Sequence, residues 1–383
     1  MKILAHSNSV WAGTGYGQQT AQLTQRLKAN GHEPAVSCFY GLQGGIINND
    51  GVTLFPAGFD LYGNDVLVPH STSHFGEPRG GLVITLVDVW VLSPDVLRQL
   101  YVAAWTPIDH EPAPPKVIEH LRNSGVWPVA MSRFGQRMIE AHDLEAFYAP
   151  HGIDTSVFRP RDKSECKAEL GIPDTFVVGM VAANKGYPSR KSYSQAIEAF
   201  AAFNRKHPDS LLYLHTEPNG IVDGHPIVAQ LEAAGIPGKA IMACDPYTQL
   251  VGQSQEFVAK LHSSFDVLLN PSMGEGFGIP IVEAQACGVP VIVTDCTAMT
   301  ELCGAGWLVT GDRTFTNQRS YWVSPHISSI VEALEDAHDA DYSLADKARE
   351  FALQYDADTV YREHWQPILA ELGKRMEPLE IAA

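Results

Sequence analysis

Two carboxylates eight positions apart, Glu275 and Glu283, bracket the segment Glu275-Gly-Phe-Gly-Ile-Pro-Ile-Val-Glu283. The first falls in a glycine-rich turn. The second falls one to two turns into a helical pattern, on a face that can look back at the same ligand. The run before it, FDVLLNPS, is apolar enough for a buried strand; EAQACG closes a helix on glycine, and PVIVTD begins another strand. Strand, loop, helix and strand make a βαβ unit, and its loop is where such units bind phosphate. Gly276 and Gly278 allow a ligand close to the backbone, the helix start offers unpaired N–H groups, and Pro280 suits a first turn. A ligand with two hydroxyl-rich ends and an anionic middle, a nucleotide sugar, fits this set. A plain turn followed by a solvated glutamate would show the same letters, and the two flanking buried strands argue against it.

Other groups are candidates for chemistry. Arg190 and Lys191 stand at the start of the helical segment SYSQAIEAFAAFNRKHP. A helix N-terminus disfavours cations unless an anion joins them, so a bound phosphate and an ordinary exposed basic pair are the two readings. Gly13, Gly15 and Gly17 are spaced GxGxG, not GxGxxG, and the next strand ends Phe39-Tyr40-Gly41 without an acidic residue for a ribose. A nicotinamide dehydrogenase is therefore disfavoured. WTPIDHEPAPP leaves a buried strand and puts Asp109 and His110 at a carboxyl edge. His70 and His74, with Glu77 nearby, could be a metal pair, but the surrounding Pro and Gly argue against one helical face, and no metal is expected. The Asp-Ala-Asp triplets at 339–341 and 356–358 read as solvated helical faces. His151 either touches a binding cleft or packs at a strand end.

The elements that must position these residues are parallel-sheet strands. Short apolar runs without alternation recur in two series: KILAHS, AVSCFY, DVLVPH, GLVITLVDV, VAAWTPID and PVAMS, then FVVGMVAA, LLYLHTE, AIMACD, DVLLNPS, PVIVTD and WLVTG. Strands of this kind are covered on both faces, and two such series among helices imply two doubly wound α/β domains. The polar, proline-bearing connection HGIDTSVFRPRDKSECKAELGIP separates them, with a hinge near Phe158–Asp162. The expected domains are residues 1–160 and 161–359, with a helix at about 360–383 packing back on the first. A length of 383 residues fits two domains, and 45% apolar with 19% charged residues is a globular composition.

The net charge of −17 argues against nucleic acid. Residues 1–157 carry 9 Lys plus Arg against 14 Asp plus Glu, which argues against an anionic membrane and for a soluble acceptor. Six cysteines without CxxC or zinc spacing, and a start that enters a strand directly, read as a cytoplasmic protein with buried thiols.

PSMGEGFGIPIVEAQACGVPVIVTD resembles the signature of family-4 retaining glycosyltransferases of the GT-B fold, with two facing Rossmann-like domains and a cleft between them. WAGTGYGQQTAQLTQRLKANGHEP, PHGIDTSVFRP, RKSYSQAIEAF and TAMTELCGAGWLV are similar to further segments of that family, in the same order. The resemblance implies that Glu275 holds hydroxyls of the donor sugar, and that the amides of Gly276, Phe277 and Gly278 meet sugar and phosphate. It implies ribose hydroxyls on Glu283 and the diphosphate on Arg190 and Lys191. Gly15 and Tyr16 would face donor phosphates and acceptor. Family members carry a His, often followed by Asp, near the reacting sugar. Here the order is Asp109-His110, which leaves open which of the two takes that place. The base is expected near the AIMACDPY strand, beside Asp245 and Tyr247. The implied activity is transfer of a sugar with retention, from a nucleoside-diphosphate sugar to a hydroxyl acceptor, with no cofactor. A nucleotide-sugar epimerase on the same fold and a catalytically silent nucleotide-sugar-binding module are its rivals.

Overall fold

The computed structural model describes residues 1–219, 223–242, 251–340 and 343–376. Asp245 and Tyr247, expected beside the base, lie outside the described residues, as do Cys244 and Asp341. The chain divides into two compact units. The first holds residues 1–108, 112–152 and those from 357 onward; the second holds 109–111 and 153–356.

The first unit is built on β1 (Lys2–Asn8), β2 (Glu33–Tyr40), β3 (Ile47–Asn49), β4 (Val52–Phe55), β5 (Leu82–Leu86), β6 (Tyr101–Thr106), β7 (Trp127–Ala130) and β8 (Phe147–Tyr148). Their order is β3-β4-β2-β1-β5-β6-β7-β8, with every pair parallel except β3 on β4. The chain winds one way from β1 and the other way from β5, so the switch point lies between them. Helix Gly15–Ala29 leaves the β1 loop, capped by the Thr14 hydroxyl, which accepts from the Gly17 amide at 3.0 Å. From Ala357 onward the chain packs on this unit: Trp365 meets Trp105 edge-on at 4.9 Å, and Arg375 pairs with Glu145 at 2.8 Å.

One expected strand is a helix. DVLVPH opens the helix Leu67–Phe75, which buries Leu67, Ser71 and Phe75 at a spacing of four. A short apolar run satisfies either period, and only the residues after it settle the matter. His70 and His74 thus share one helix, contrary to expectation, but each is engaged elsewhere. His70 Nδ1 meets Ser37 Oγ at 2.9 Å and His74 Nε2 meets Glu33 O at 3.0 Å.

His6 Nε2 lies 2.8 Å from Tyr62 O and so must donate; its Nδ1, 2.9 Å from Ser37 Oγ, then accepts. Burial pushes His6 down to about 4 and His151 down to about 3. His70 is likewise held down at about 4 by burial. Because these folded values lie below the ordinary one, the unfolded chain binds more protons below about pH 6.5. Their contribution to stability is complete above that pH and lost as pH falls toward 4. Thermal melts between pH 8 and pH 5 are expected to show the midpoint falling by several degrees. Each such proton costs up to about 1.4 kcal/mol per pH unit.

The second unit contains β9 (Val177–Val181), β10 (Leu211–His215), β11 (Ala240–Met242), β12 (Val267–Asn270), β13 (Val291–Thr294) and β14 (Gly306–Val309), all parallel in the order β11-β10-β9-β12-β13-β14. Its switch point lies between β9 and β12. An antiparallel hairpin follows, β15 (Gly311–Phe315) with β16 (Tyr321–Pro325). Residues 153–158, read as the approach to a hinge, are tied to this unit. Ile153 N donates to Tyr355 O at 2.9 Å, Arg349 donates to Thr155 O and Phe158 O, and Phe158 is fully buried. The division therefore falls at Gly152/Ile153 and again at Asp356/Ala357, against the expected 160/161 and 359/360. Asp356 is also no solvated helical face, since it accepts from the Thr155 hydroxyl at 2.6 Å.

Cys38, Cys166, Cys287 and Cys296 are buried free thiols, and burial pushes Cys38, Cys287 and Cys296 up to about 12. Among the described residues no helix is long and apolar enough to cross a membrane.

Candidate functional site

The carboxyl ends of β9 and β12 are neighbours at the switch point, and the loops leaving them meet. Met273 N donates to Arg190 O at 2.8 Å, so the basic pair and the loop 271–278 are joined through their backbones. Beside this contact, Arg190 meets Gly274 and Lys191 meets Glu275, pairs that are each 84 positions apart. Arg190 Nη1 stands 3.0 Å from Glu275 Oε2 and also donates to Gly274 O. Lys191 Nζ donates to Glu275 Oε1. The Glu275 side chain is only 8% exposed.

Burial alone would raise the Glu275 carboxyl, but Arg190 and Lys191 outweigh it and hold it down at about 2. Burial pulls the Lys191 ammonium downward, against the attraction of Glu275. Glu275 therefore stays ionised throughout the neutral range, and any acid limb of activity there belongs to another group.

Residues 109–111 cross into this unit. Asp109 Oδ2 lies 3.9 Å from Arg190 Nε, and Asp109 Oδ1 accepts from His110 Nδ1 at 2.6 Å. Burial raises Asp109, and the His110 hydrogen bond and Arg190 together bring it below the usual carboxylate range. Among the described residues Asp109 and Glu275 are the carboxylates within ion-pair distance of Arg190, and His110 is buried. The close approach needs Gly274: a Cβ there would stand 2.2 Å from Asp109 O.

The hairpin completes this corner. His110 Nε2 lies 3.1 Å from Thr316 Oγ1, the Trp322 ring lies 4.9 Å from the imidazole, and Glu111 N donates to Tyr321 O at 3.1 Å. Val323 N donates to Met273 O at 2.9 Å, tying β16 to the loop that carries Glu275.

Gly276, Phe277 and Gly278 lead into helix Ile279–Ala286, whose cap Gly278 has φ 118°, a conformation other residues avoid. Phe277 is buried edge-on against Tyr355 at 5.6 Å. Glu283 lies inside that helix and is buried, with Oε2 3.5 Å from His262 Nε2. It is not a solvated helical residue. Gly15 and Tyr16 open the helix Gly15–Ala29 of the other unit. His151 packs edge-on against Trp105 at 4.6 Å, which is strand-end packing.

Thr297, Thr316 and Trp322 were not anticipated. Thr297 Oγ1 accepts from Glu275 N at 3.0 Å, and this β-branched residue sits at φ 54°. Ser192, directly after the basic pair, sits at φ 56°. Strained non-glycine backbone on both sides of one charge cluster is typical of a binding site. Its only trace in the sequence is that the TAMTELCGAGWLV segment follows the loop. Among the described residues no group of three His, Cys, Asp or Glu is placed to hold a metal ion.

Residues 176–321 match the family described as Glycosyl transferases group 1. The D-inositol 3-phosphate glycosyltransferase of Segniliparus rotundus is 32% identical over 165 residues, 40% of this chain and 34% of that protein. The chain thus spans about a third to under half the length of the curated relatives it matches. Sucrose-phosphate synthase (tll1590) from Thermosynechococcus elongatus superposes with a TM-score of 0.70 at 17% identity, over 98% of both chains. Anabaena Alr3699/HepE in complex with UDP-glucose gives a TM-score of 0.66 at 15% identity, over 98% of this chain and 100% of that one. The fold is GT-B, two α/β domains on parallel sheets, the first with one antiparallel edge strand.

Proposed function

We propose that this protein is a retaining family-4 glycosyltransferase that moves a sugar from a nucleoside-diphosphate sugar to a hydroxyl acceptor without a metal. The observation that carries the reading is the convergence of Arg190, Lys191, Glu275 and Asp109 at the switch point of the second unit. Parallel sheets bind their ligands there. The diphosphate takes the two cations over from Glu275, and the freed carboxylate accepts from hydroxyls of the sugar. Negative charge grows on the leaving diphosphate as the glycosidic bond breaks, and a preorganised cation pair stabilises it. Asp109 flanks the reacting sugar, His110 holds Asp109 in place, and the amides of Gly276, Phe277 and Gly278 line the sugar and phosphate. Glu283 accepts from the ribose. Gly15 and Tyr16 belong to the acceptor side, on the first unit. Retention by front-side displacement, with the leaving phosphate taking the acceptor proton, fits the lack of a dedicated nucleophile in this set of roles.

Supporting observations are the family match over residues 176–321 and the naming of UDP-glucose in the HepE complex. Calorimetry with UDP- and GDP-sugars, followed by acceptor-dependent release of the nucleoside diphosphate, tests the reading. An epimerase would convert donor with no acceptor present, and a silent module would bind donor and release nothing. Glu283→Ala is expected to raise the donor dissociation constant about tenfold to a hundredfold, the loss of a charged hydrogen-bond acceptor. Wild-type affinity in that variant would remove Glu283 from the ribose.

A further inference from the structure

We propose that the acceptor is an uncharged saccharide received on an aromatic platform of the first unit. The inference rests on the glycosyltransferase reading and narrows its acceptor. Strands β1, β2 and β4 run parallel, so their carboxyl ends share one edge. The loops leaving them are bonded together: Ser9 N donates to Tyr40 O at 2.9 Å, Trp11 Nε1 to Gly41 O at 2.8 Å, and Ala57 N to Leu42 O at 2.9 Å. Strand β3 runs back antiparallel with Ile47 opposite Leu54, which returns Ile46 and Ile47 to the same edge.

This edge exposes large apolar side chains. Trp11 and Tyr40 are each 45% exposed, Ile46 61%, Leu61 73%, and Phe59 stands fully in solvent. An apolar cluster of this kind on a folded surface marks a binding site. It adjoins the loop that opens the helix carrying Gly15 and Tyr16.

The charge pattern selects the occupant. From residue 29 to residue 78 there is no Lys or Arg, and the loop that leaves β4 at this edge carries Asp60 and Asp65; Glu33, Asp50 and Glu77 lie toward the opposite edge. Asp60 lies between Phe59 and Leu61. Lys116, reached from the next loop along the edge, rests 3.9 Å from the centre of the Trp90 ring. A phosphorylated acceptor on this stretch would meet Asp60 and Asp65 with no cation of the stretch to pair it, a repulsive element that acts as selection against anions. A neutral pyranose has an apolar C–H face for the aromatic rings and hydroxyls for the nearby amide and carboxylate oxygens.

The test uses the full chain with whichever nucleotide sugar calorimetry identifies. Maltotriose and 4-nitrophenyl glycosides are compared as acceptors with inositol 3-phosphate and glucose 6-phosphate. Uncharged acceptors are expected to be used with kcat/KM at least about tenfold above the phosphorylated ones. Phe59→Ala should raise the acceptor KM about tenfold while the donor dissociation constant and melting temperature stay unchanged, since Phe59 makes no core contact. Equal or better use of a phosphorylated polyol overturns the inference. So does an acceptor KM unmoved by both Phe59→Ala and Trp11→Ala, or a dimer in light scattering that Phe59→Ala dissolves. A protein that binds no nucleotide sugar would instead sink the glycosyltransferase reading itself.

Discussion

Arg190→Ala is expected to lower the transfer rate by roughly 10²–10³-fold, or about 3–4 kcal/mol of transition-state stabilisation. The guanidinium is held from several sides: Nη1 by Glu275 Oε2 at 3.0 Å and by Gly274 O, with Asp109 facing Nε at 3.9 Å. Its orientation is therefore set before any ligand arrives, and Gly274 O and Asp109 keep it when the diphosphate takes the place of Glu275. Arg190→Lys keeps the charge but loses the planar fork, so it should recover only part of the rate.

Single-turnover measurements at saturating donor, beside calorimetric donor affinity, separate chemistry from binding. A rate within about threefold of wild type would remove Arg190 from the chemistry, since such a change is under 1 kcal/mol. The melting temperature serves as the control. In the variant Glu275 keeps Lys191 as a partner, so the expected fall is a few degrees, not unfolding.

The doubly wound sheets and the Glu275 loop were legible because their signals are local: a buried apolar run, then glycines, then a helix start. The juxtaposition of Glu275 with Arg190 and Lys191 was legible only in part. Nothing in either segment states that Met273 N will bond Arg190 O; that contact follows from β9 and β12 being neighbours, which is a property of sheet order. The hairpin β15–β16 was missed for a related reason. DRTF and YWVSP are half-exposed, polar-flanked segments without the continuous apolar run that reveals a buried strand. With the hairpin went Thr316 and Trp322, whose place in the site comes from contact with His110, more than 200 positions away in sequence. DVLVPH shows the opposite failure, a strong local signal of ambiguous period that tertiary packing resolved as helix. Glu283 was placed correctly on its helix, but its burial beside His262 depends on a neighbouring helix, Gln255–Ser263, that no local pattern connects to it.

Glu275→Gln separates the two duties of this carboxylate: compensating the cation pair and receiving the sugar. The substitution keeps shape and removes charge. Without the carboxylate, only Asp109 is left to offset Arg190 and Lys191 in a largely buried site, so a nucleoside diphosphate becomes their best partner. Its affinity is expected to hold or improve. Transfer should nonetheless fall by about 10²-fold, because an amide accepts hydrogen bonds from the sugar hydroxyls more weakly than a carboxylate does. Stability gives an independent readout with a definite sign. The folded Glu275 carboxyl sits at about 2, below its ordinary value of 4.5. Its contribution is therefore fully present above about pH 4.5 and is lost as pH falls toward 2. That contribution is on the order of 3 kcal/mol, with the opposing effect of burial on the carboxyl already included. Melting temperatures of wild type and variant should accordingly differ most near neutrality and converge as the pH drops below 4.5. A constant difference across that range would mean that Glu275 stabilises the loop through shape, not charge. Unimpaired transfer by Glu275→Gln would place the sugar on other residues and leave Glu275 as the counter-ion of the pair alone.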